Sequence, residues 1–351
     1  MVGPRAGDGH PPELSRVKAA VIGAGSWGTA VAAIASRHAD VALWARSPEL
    51  ALRIAAEHRN PLYLPELELA ANVRATSSID DACAGADVVV VGVPSHGFRQ
   101  VLSGAAGRIG PDVPVVSLSK GIEVGTLQRM TEVVAEVLPD HREDRIGTLT
   151  GPNLAAEVAD GQPTASVIAM RDHDTAAGLQ QLFMTGSFRV YTNPDVTGCE
   201  IAGTVKNVIA IAAGVAEGLG YGSNTQAALV TRGLAEMARL GVALGGDPLT
   251  FAGLAGMGDL VATCTSSKSR NRTVGVELGR GRTLDDITAE MRMVAEGVRS
   301  TRAVLELARR HGVEMPIAEQ VGAVLYEGHK PADLVATLML REAKPELRGI
   351  R

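Results

Sequence analysis

From Val17 onward, short β-branched apolar runs alternate with segments whose apolar residues recur at helical spacing. The runs at 17–22, 41–44, 87–93, 113–118, 146–150, 165–169 and 188–191 read as strands, with helices such as 27–37 and 126–138 between them. Asp87-Val-Val-Val-Val-Gly-Val93 is apolar without alternation, the mark of a parallel strand covered on both faces. The pattern predicts an α/β fold with an N-terminal, Rossmann-like doubly wound sheet. After Thr192-Asn-Pro-Asp195 the strand signal stops. Helical periodicity follows over 196–218, 224–243, 270–280, 296–311, 316–326 and 331–339, with Pro316 and Pro331 as helix starts. The expected organisation is a sheet domain over 17–195 and an all-helical domain over 196–345. A disordered tail (1–16) and a flexible C-terminus (346–351) flank them.

Composition narrows the function classes. A chain of 351 residues is long for one core, and 46% hydrophobic against 3% aromatic residues implies a core of Ala, Val, Leu and Ile. A formal charge of −5 offers no basic surface for nucleic acid, so any anion must be held by a local lysine or arginine. Cys83, Cys199 and Cys264 are odd in number and widely spaced, which suits neither a metal site nor a disulfide framework. They point to a reducing cytoplasm, with Cys264 read as a small buried thiol. Met1–Arg16 lacks the apolar centre of a signal peptide. The most apolar stretch, Ile201–Val215, carries Lys206 and Asn207 in its middle, so no membrane insertion is expected.

Lys206 is the most informative residue. An ammonium in so apolar a helix must find a partner or lose its proton, because desolvating it alone costs several kcal/mol. A lone buried lysine is commonly a structural ion-pair member. Three other motifs argue for more.

The first is Gly23-Ala-Gly25-Ser26-Trp27-Gly28, which follows the first strand and opens the first helix. Gly23 permits the turn, Gly25 the approach of a pyrophosphate and Gly28 close helix–strand packing. The helix start supplies N–H donors to the phosphates. At the end of the second strand stands Arg46 rather than a carboxylate, which leans toward NADP or dual use. The second motif lies at the carboxyl ends of later strands, where open α/β sheets bind ligands. Lys120, in Ser117-Leu-Ser-Lys120-Gly121, can meet a phosphate or carbonyl oxygen there or remain a solvated loop lysine. His96 is expected to cap a helix or face solvent, and Asn153, after Gly151-Pro152, to cap a helix.

The third is Gly253-Leu-Ala-Gly256-Met-Gly258-Asp259, leading to Ser269-Arg270-Asn271. Asp259 can orient Lys206 and keep it charged. Ser269, Arg270 and Asn271 begin a helix, where N–H groups, a hydroxyl and a guanidinium suit a phosphate dianion. Together these suggest hydride transfer from a nicotinamide cofactor to a small phosphorylated ketone. Lys206 would be the proton donor, its pKa lowered by burial and raised by Asp259.

With Pro61-Leu-Tyr63-Leu-Pro65, Gly203-Thr-Val-Lys206-Asn207 and Val294-Ala-Glu296-Gly297 added, the chain resembles the bacterial NAD(P)-dependent sn-glycerol-3-phosphate dehydrogenases from Val17 to about Glu346. The resemblance implies a cytoplasmic homodimer that uses NAD(P)H to interconvert dihydroxyacetone phosphate and sn-glycerol 3-phosphate for phospholipid synthesis. By position it implies Lys206 as acid/base, and Lys120, Gly151, Asp259, Ser269, Arg270 and Asn271 as substrate contacts. Asn153, where the family has Ser or Thr, is a weaker one. Ser26, Trp27, Arg46, Lys120, Ala155, Arg270, Val294 and Glu296 would be cofactor contacts. Two rival readings remain: another dehydrogenase of this architecture acting on a hydroxy acid or phosphorylated alcohol, and a non-catalytic NAD(P) sensor, which would have no use for Lys206.

Overall fold

The computed structural model describes residues 16–291, 295–340 and 342. The expected tail, Arg16 excepted, the 346–351 terminus and Val294 lie outside the described residues.

An eight-stranded sheet organises the N-terminal half: β1 (Val17–Ile22), β2 (Ala39–Trp44), β3 (Val73–Thr76), β4 (Val88–Val91), β5 (Val115–Ser117), β6 (Ile146–Thr150), β7 (Thr164–Ala169) and β8 (Phe188–Asn193). The spatial order is β8-β7-β6-β5-β4-β1-β2-β3. From β3 to β6 every pairing is parallel. The valine runs do not extend to β7, which pairs antiparallel to β6 through Leu149 opposite Ile168. The sheet is therefore mixed but mostly parallel, within the doubly wound fold expected. Two apolar layers cover its faces, one including Val21, Val31, Leu43 and Phe183, the other Ile22, Phe98, Leu102 and Val133. Strand β3 and a hairpin over 59–68 give no run long enough to stand out in the sequence.

The helices that shape the site are α1 (Ser26–Ala35), α2 (Ser95–Ala105), α3 (Val196–Gly218), α4 (Ser223–Ala243), α5 (Asp259–Thr265), α6 (Arg270–Gly279), α7 (Glu296–Arg310) and α8 (Pro316–Tyr326). Helix α3 is the axis of the C-terminal half, buried without a break from Gly198 to Ala216. It is long and apolar enough to cross a membrane, contrary to the sequence expectation, but its apolar window lies wholly inside the fold. Burying its apolar side chains contributes about 25 cal/mol per Å². Helix α6 lies against α3 at glycine contacts: a Cβ on Gly214 would stand 2.1 Å from Arg272 O, and one on Gly275 2.1 Å from Ile211 O. This close approach sets the start of α6 beside the middle of α3. The glycine segment before α5 forms a π-helical turn over Leu254–Gly258. The three cysteines are buried and unpaired.

Candidate active site

The β1–α1 turn separates its three glycines by role. Gly23 has φ +119°, and a Cβ there would lie 2.5 Å from Gly92 O. A Cβ on Gly28 would lie 1.9 Å from Gly23 O, so packing alone demands glycine at both positions. At Gly25 a Cβ would meet nothing within 4 Å, and no side chain caps the start of α1. Open space above an uncapped helix start is what a dinucleotide pyrophosphate requires. The residues fit NAD(P), with Gly23, Gly25, Ser26, Trp27 and Gly28 on the phosphate side. The Trp27 ring lies 6.2 Å from Phe188, and its buried indole N–H has no acceptor among the described residues. Arg46, two residues beyond the end of β2, is exposed, with no ion pair or hydrogen bond among the described residues, so its charge is available to a nucleotide. Ala155 opens a short helix, Ala155–Ala159, that packs on α1. His96 is exposed in the first turn of α2, as expected.

In the helical half, α3 carries Lys206, which is 6% exposed. Its Nζ lies 2.9 Å from Asp259 Oδ1 and donates to Thr263 Oγ1 at 2.7 Å. The Thr263 hydroxyl in turn donates to Asp259 O at 2.7 Å, one turn back along α5. The second carboxylate oxygen, Asp259 Oδ2, accepts from Lys120 Nζ at 2.7 Å. Lys120 also donates to Gly151 O at 2.9 Å and Asn153 Oδ1 at 2.8 Å. An ammonium has three N–H donors. Those of Lys120 are matched by three protein acceptors, whereas among the described residues Lys206 has two partners and one N–H left over.

The electrostatics follow from this geometry. Burial lowers the Lys120 pKa to about 8, with Lys206 adding to the effect and Asp259 opposing it. Burial alone would raise the Asp259 carboxyl, but Lys120 and Lys206 overcome it and hold the group below its ordinary range.

At the start of α6, Ser269 is the N-cap, its Oγ accepting from Arg272 N at 3.3 Å. Arg270 is exposed and has no hydrogen bond or ion pair among the described residues. Its neighbour Asn271 is buried, donating to Asn207 Oδ1 at 2.9 Å and accepting from Gly297 N at 2.9 Å. Asn207, next to Lys206, donates to Lys120 O at 3.1 Å. This amide pair holds the Arg270 helix start beside the Lys206 turn, and with the Gly297 bond it takes one donor and one acceptor site of the Asn271 amide, half of its capacity.

Two further expectations change. Asn153 is not a cap, since Leu154 occupies that position and the Asn153 amide is turned to Lys120. The Glu296 carboxylate accepts from Ser95 N at 3.2 Å and from Ser95 Oγ at 2.7 Å, joining the starts of α7 and α2. Thr263 was missed, although its place four residues after Asp259 puts both on one helix face. The Lys120–Asp259 pair, 139 residues apart, leaves no local signal.

Models of a single family match both halves: NAD-dependent glycerol-3-phosphate dehydrogenase N-terminus over residues 18–176, and its C-terminus over 195–336. Glycerol-3-phosphate dehydrogenase (NAD(P)+) 2 of Sphingopyxis alaskensis is 56% identical over 306 residues, 87% of this chain and 91% of that one. The corresponding enzyme of Thermobifida fusca is 53% identical over 337 residues, 95% of this chain and 99% of its own. The crystal structure of the glycerol-3-phosphate dehydrogenase of Coxiella burnetii has TM-score 0.88 and 37% identity, covering 93% of this chain and 99% of that one.

Proposed function

The chain belongs to the NAD-dependent glycerol-3-phosphate dehydrogenase family, and on that premise we propose that Lys206 is the acid/base of its reaction and Arg270 its phosphate grip. The activity is reversible hydride transfer between NAD(P)H and dihydroxyacetone phosphate, giving glycerol 3-phosphate. This displaces the hydroxy-acid dehydrogenase and the non-catalytic sensor as readings.

The observation that carries the Lys206 assignment is the donor count. Of the two lysines that meet Asp259, Lys206 alone keeps an N–H without an acceptor among the described residues. That N–H can face the substrate oxygen, give its proton as the carbonyl becomes an alcohol and recover it in the reverse direction. The cofactor, when bound, supplies or accepts the hydride. Asp259 pairs with the ammonium and aims it, and Thr263 fixes it from the side. Two ammonium groups against one carboxylate leave the cluster one positive charge, complementary to an oxygen gaining negative charge. The unpaired Arg270, with Ser269 and the start of α6, suits the phosphate. On the same count, Lys120, Gly151 and Asn153 act on substrate through Asp259 and Lys206. Asn271 acts through its bond to Asn207.

The cofactor cradle is assigned to Gly23, Gly25, Ser26, Trp27 and Gly28, with Arg46 at the adenosine end and Ala155 and Glu296 at its margins. A cytoplasmic homodimer supplying glycerol 3-phosphate to phospholipid synthesis is the setting this reading adopts. The test is Lys206→Ala, assayed by NADPH absorbance with dihydroxyacetone phosphate and by NADPH fluorescence titration. Turnover should fall by about 10²–10⁴ while NADPH binding persists. Retained turnover rejects the role.

A further inference from the structure

Behind Lys120 a chain of hydrogen bonds runs into the sheet that no step of the reaction uses. Asn153 accepts from Lys120 through Oδ1 and donates through Nδ2 to Ser166 Oγ at 3.0 Å. The Ser166 hydroxyl donates to Thr150 O at 2.6 Å. Ser166 lies on β7 and is fully buried, and Thr150 ends β6. These two strands form the antiparallel pair of the sheet, which sets Ser166 beside the segment that leads to Gly151 and Asn153.

We propose that Ser166 is a positioning residue for the reaction: its hydroxyl, committed to Thr150 O, fixes the Asn153 amide so that its carbonyl faces Lys120. This inference rests on the assignment of Lys206, Asp259 and Lys120 as the reacting cluster.

The argument is one of donors and acceptors. A serine hydroxyl has one proton and two lone pairs. With its proton on Thr150 O, Ser166 can only accept from Asn153. A reversed amide would set its oxygen against the Ser166 lone pairs and its NH₂ against the Lys120 ammonium, unfavourable at both ends. Ser166 therefore selects one of two amide orientations of nearly equal shape. That orientation gives Lys120 its third acceptor, and the other two, Gly151 O and Asp259 Oδ2, cannot replace it.

The charged groups facing Lys120 are Asp259 from α5 and Lys206 from α3. Lys120 already titrates near 8, so losing an acceptor should matter within the working pH range. A neutral Lys120 leaves Asp259 balanced by Lys206 alone, and the cluster loses the net positive charge that meets the developing alkoxide.

The experiment is the pH profile of kcat/KM for dihydroxyacetone phosphate with saturating NADPH, in wild type, Ser166→Ala, Asn153→Ala and the double variant. Ser166→Ala should move the alkaline limb down by about one pH unit, as expected for loss of a hydrogen bond to a charged group. In the Asn153→Ala background the same change should move it no further. Ser166→Cys, nearly isosteric with a poorer acceptor, should fall between and serves if the alanine variant does not fold. An unmoved limb in both Ser166 variants overturns the proposal. So does an equal shift with and without the Asn153 amide, because Ser166 would then act by another route. Either failure leaves the Lys206 assignment standing, since that depends on turnover of Lys206→Ala.

Discussion

Asp259 divides its carboxylate between two lysines from opposite halves of the molecule, Oδ1 2.9 Å from Lys206 and Oδ2 2.7 Å from Lys120. Removing its charge leaves two neighbouring buried ammonium groups without a counter-ion, and breaking such a pair costs roughly 3–5 kcal/mol. Asp259→Asn should therefore lower the melting temperature. It should also move the pH optimum to the acid side, because Lys120, whose pKa Asp259 raises, then loses its proton more readily. Thermal denaturation and a kcat profile check this, and a variant with wild-type stability and optimum would contradict it.

The glycine turn makes a contrast between neighbours. Gly28→Ala places a methyl 1.9 Å from Gly23 O, where backbone must move. Overpacking of that kind typically costs about 1–3 kcal/mol and should appear as a lower melting temperature without ligand. Gly25→Ala meets no protein atom within 4 Å, so the free protein should melt as wild type does. Its methyl would occupy the space given to the pyrophosphate, and NADPH should bind about tenfold or more weakly, a loss of at least 1.4 kcal/mol. Intact NADPH affinity in Gly25→Ala would place the phosphates elsewhere.

Arg270 makes no hydrogen bond or ion pair among the described residues, only a weaker attraction to Glu296, and a guanidinium so placed grips a phosphate with two parallel bonds. Arg270→Ala should raise KM for dihydroxyacetone phosphate by about 10–100-fold, corresponding to a charged hydrogen bond of ~1.5–3 kcal/mol. Arg270→Lys should recover part of the loss, since a point charge replaces a fork. Steady-state kinetics at saturating NADPH read both, and an unchanged KM removes Arg270 from the phosphate.

These residues differ in how far the sequence alone exposes them. The span of α3 follows from its unbroken apolar composition, and α8 begins where Pro316 sets it. The glycine turn is equally plain because its physics is local. What escaped depends on tertiary placement. Strand β3 is four residues long with one buried side chain, so it carries no periodic signal. The reversal at β7 is a matter of topology, which a valine-rich composition does not encode. At the site, Lys206 announces itself by burial, and Lys120 does not: it sits in a polar loop, and its partners come from two distant segments. Asn153 was misread as a cap because an asparagine before a helix usually is one, and the buried lysine in reach of its amide took precedence.

The buried carboxylate of Glu236, away from the Lys206–Asp259 cluster, gives the fold a pH dependence of its own. Glu236 on α4 accepts from Ile317 N at 2.7 Å and Ala318 N at 3.2 Å, serving as the cap that the start of α8 lacks locally. Burial raises its pKa to about 7; the two N–H donors and Arg239 oppose the shift, and Glu319 adds to it. A carboxyl raised in the folded state holds its proton where the unfolded chain, titrating near 4.5, has released it. Its contribution is thus fully present at acid pH, declines as pH rises from about 4.5 to 7 and is gone above that. Over that interval the loss is of order 3 kcal/mol. Glu200, also raised by burial, slopes the same way, while Lys120 titrates above the window. Glu236→Gln keeps an acceptor for α8 without the charge. Melting temperatures from pH 5 to 8 should therefore fall less steeply in the variant than in wild type, with the variant the more stable at pH 8. Parallel curves would show that Glu236 stays ionised throughout, held so by the helix start it caps.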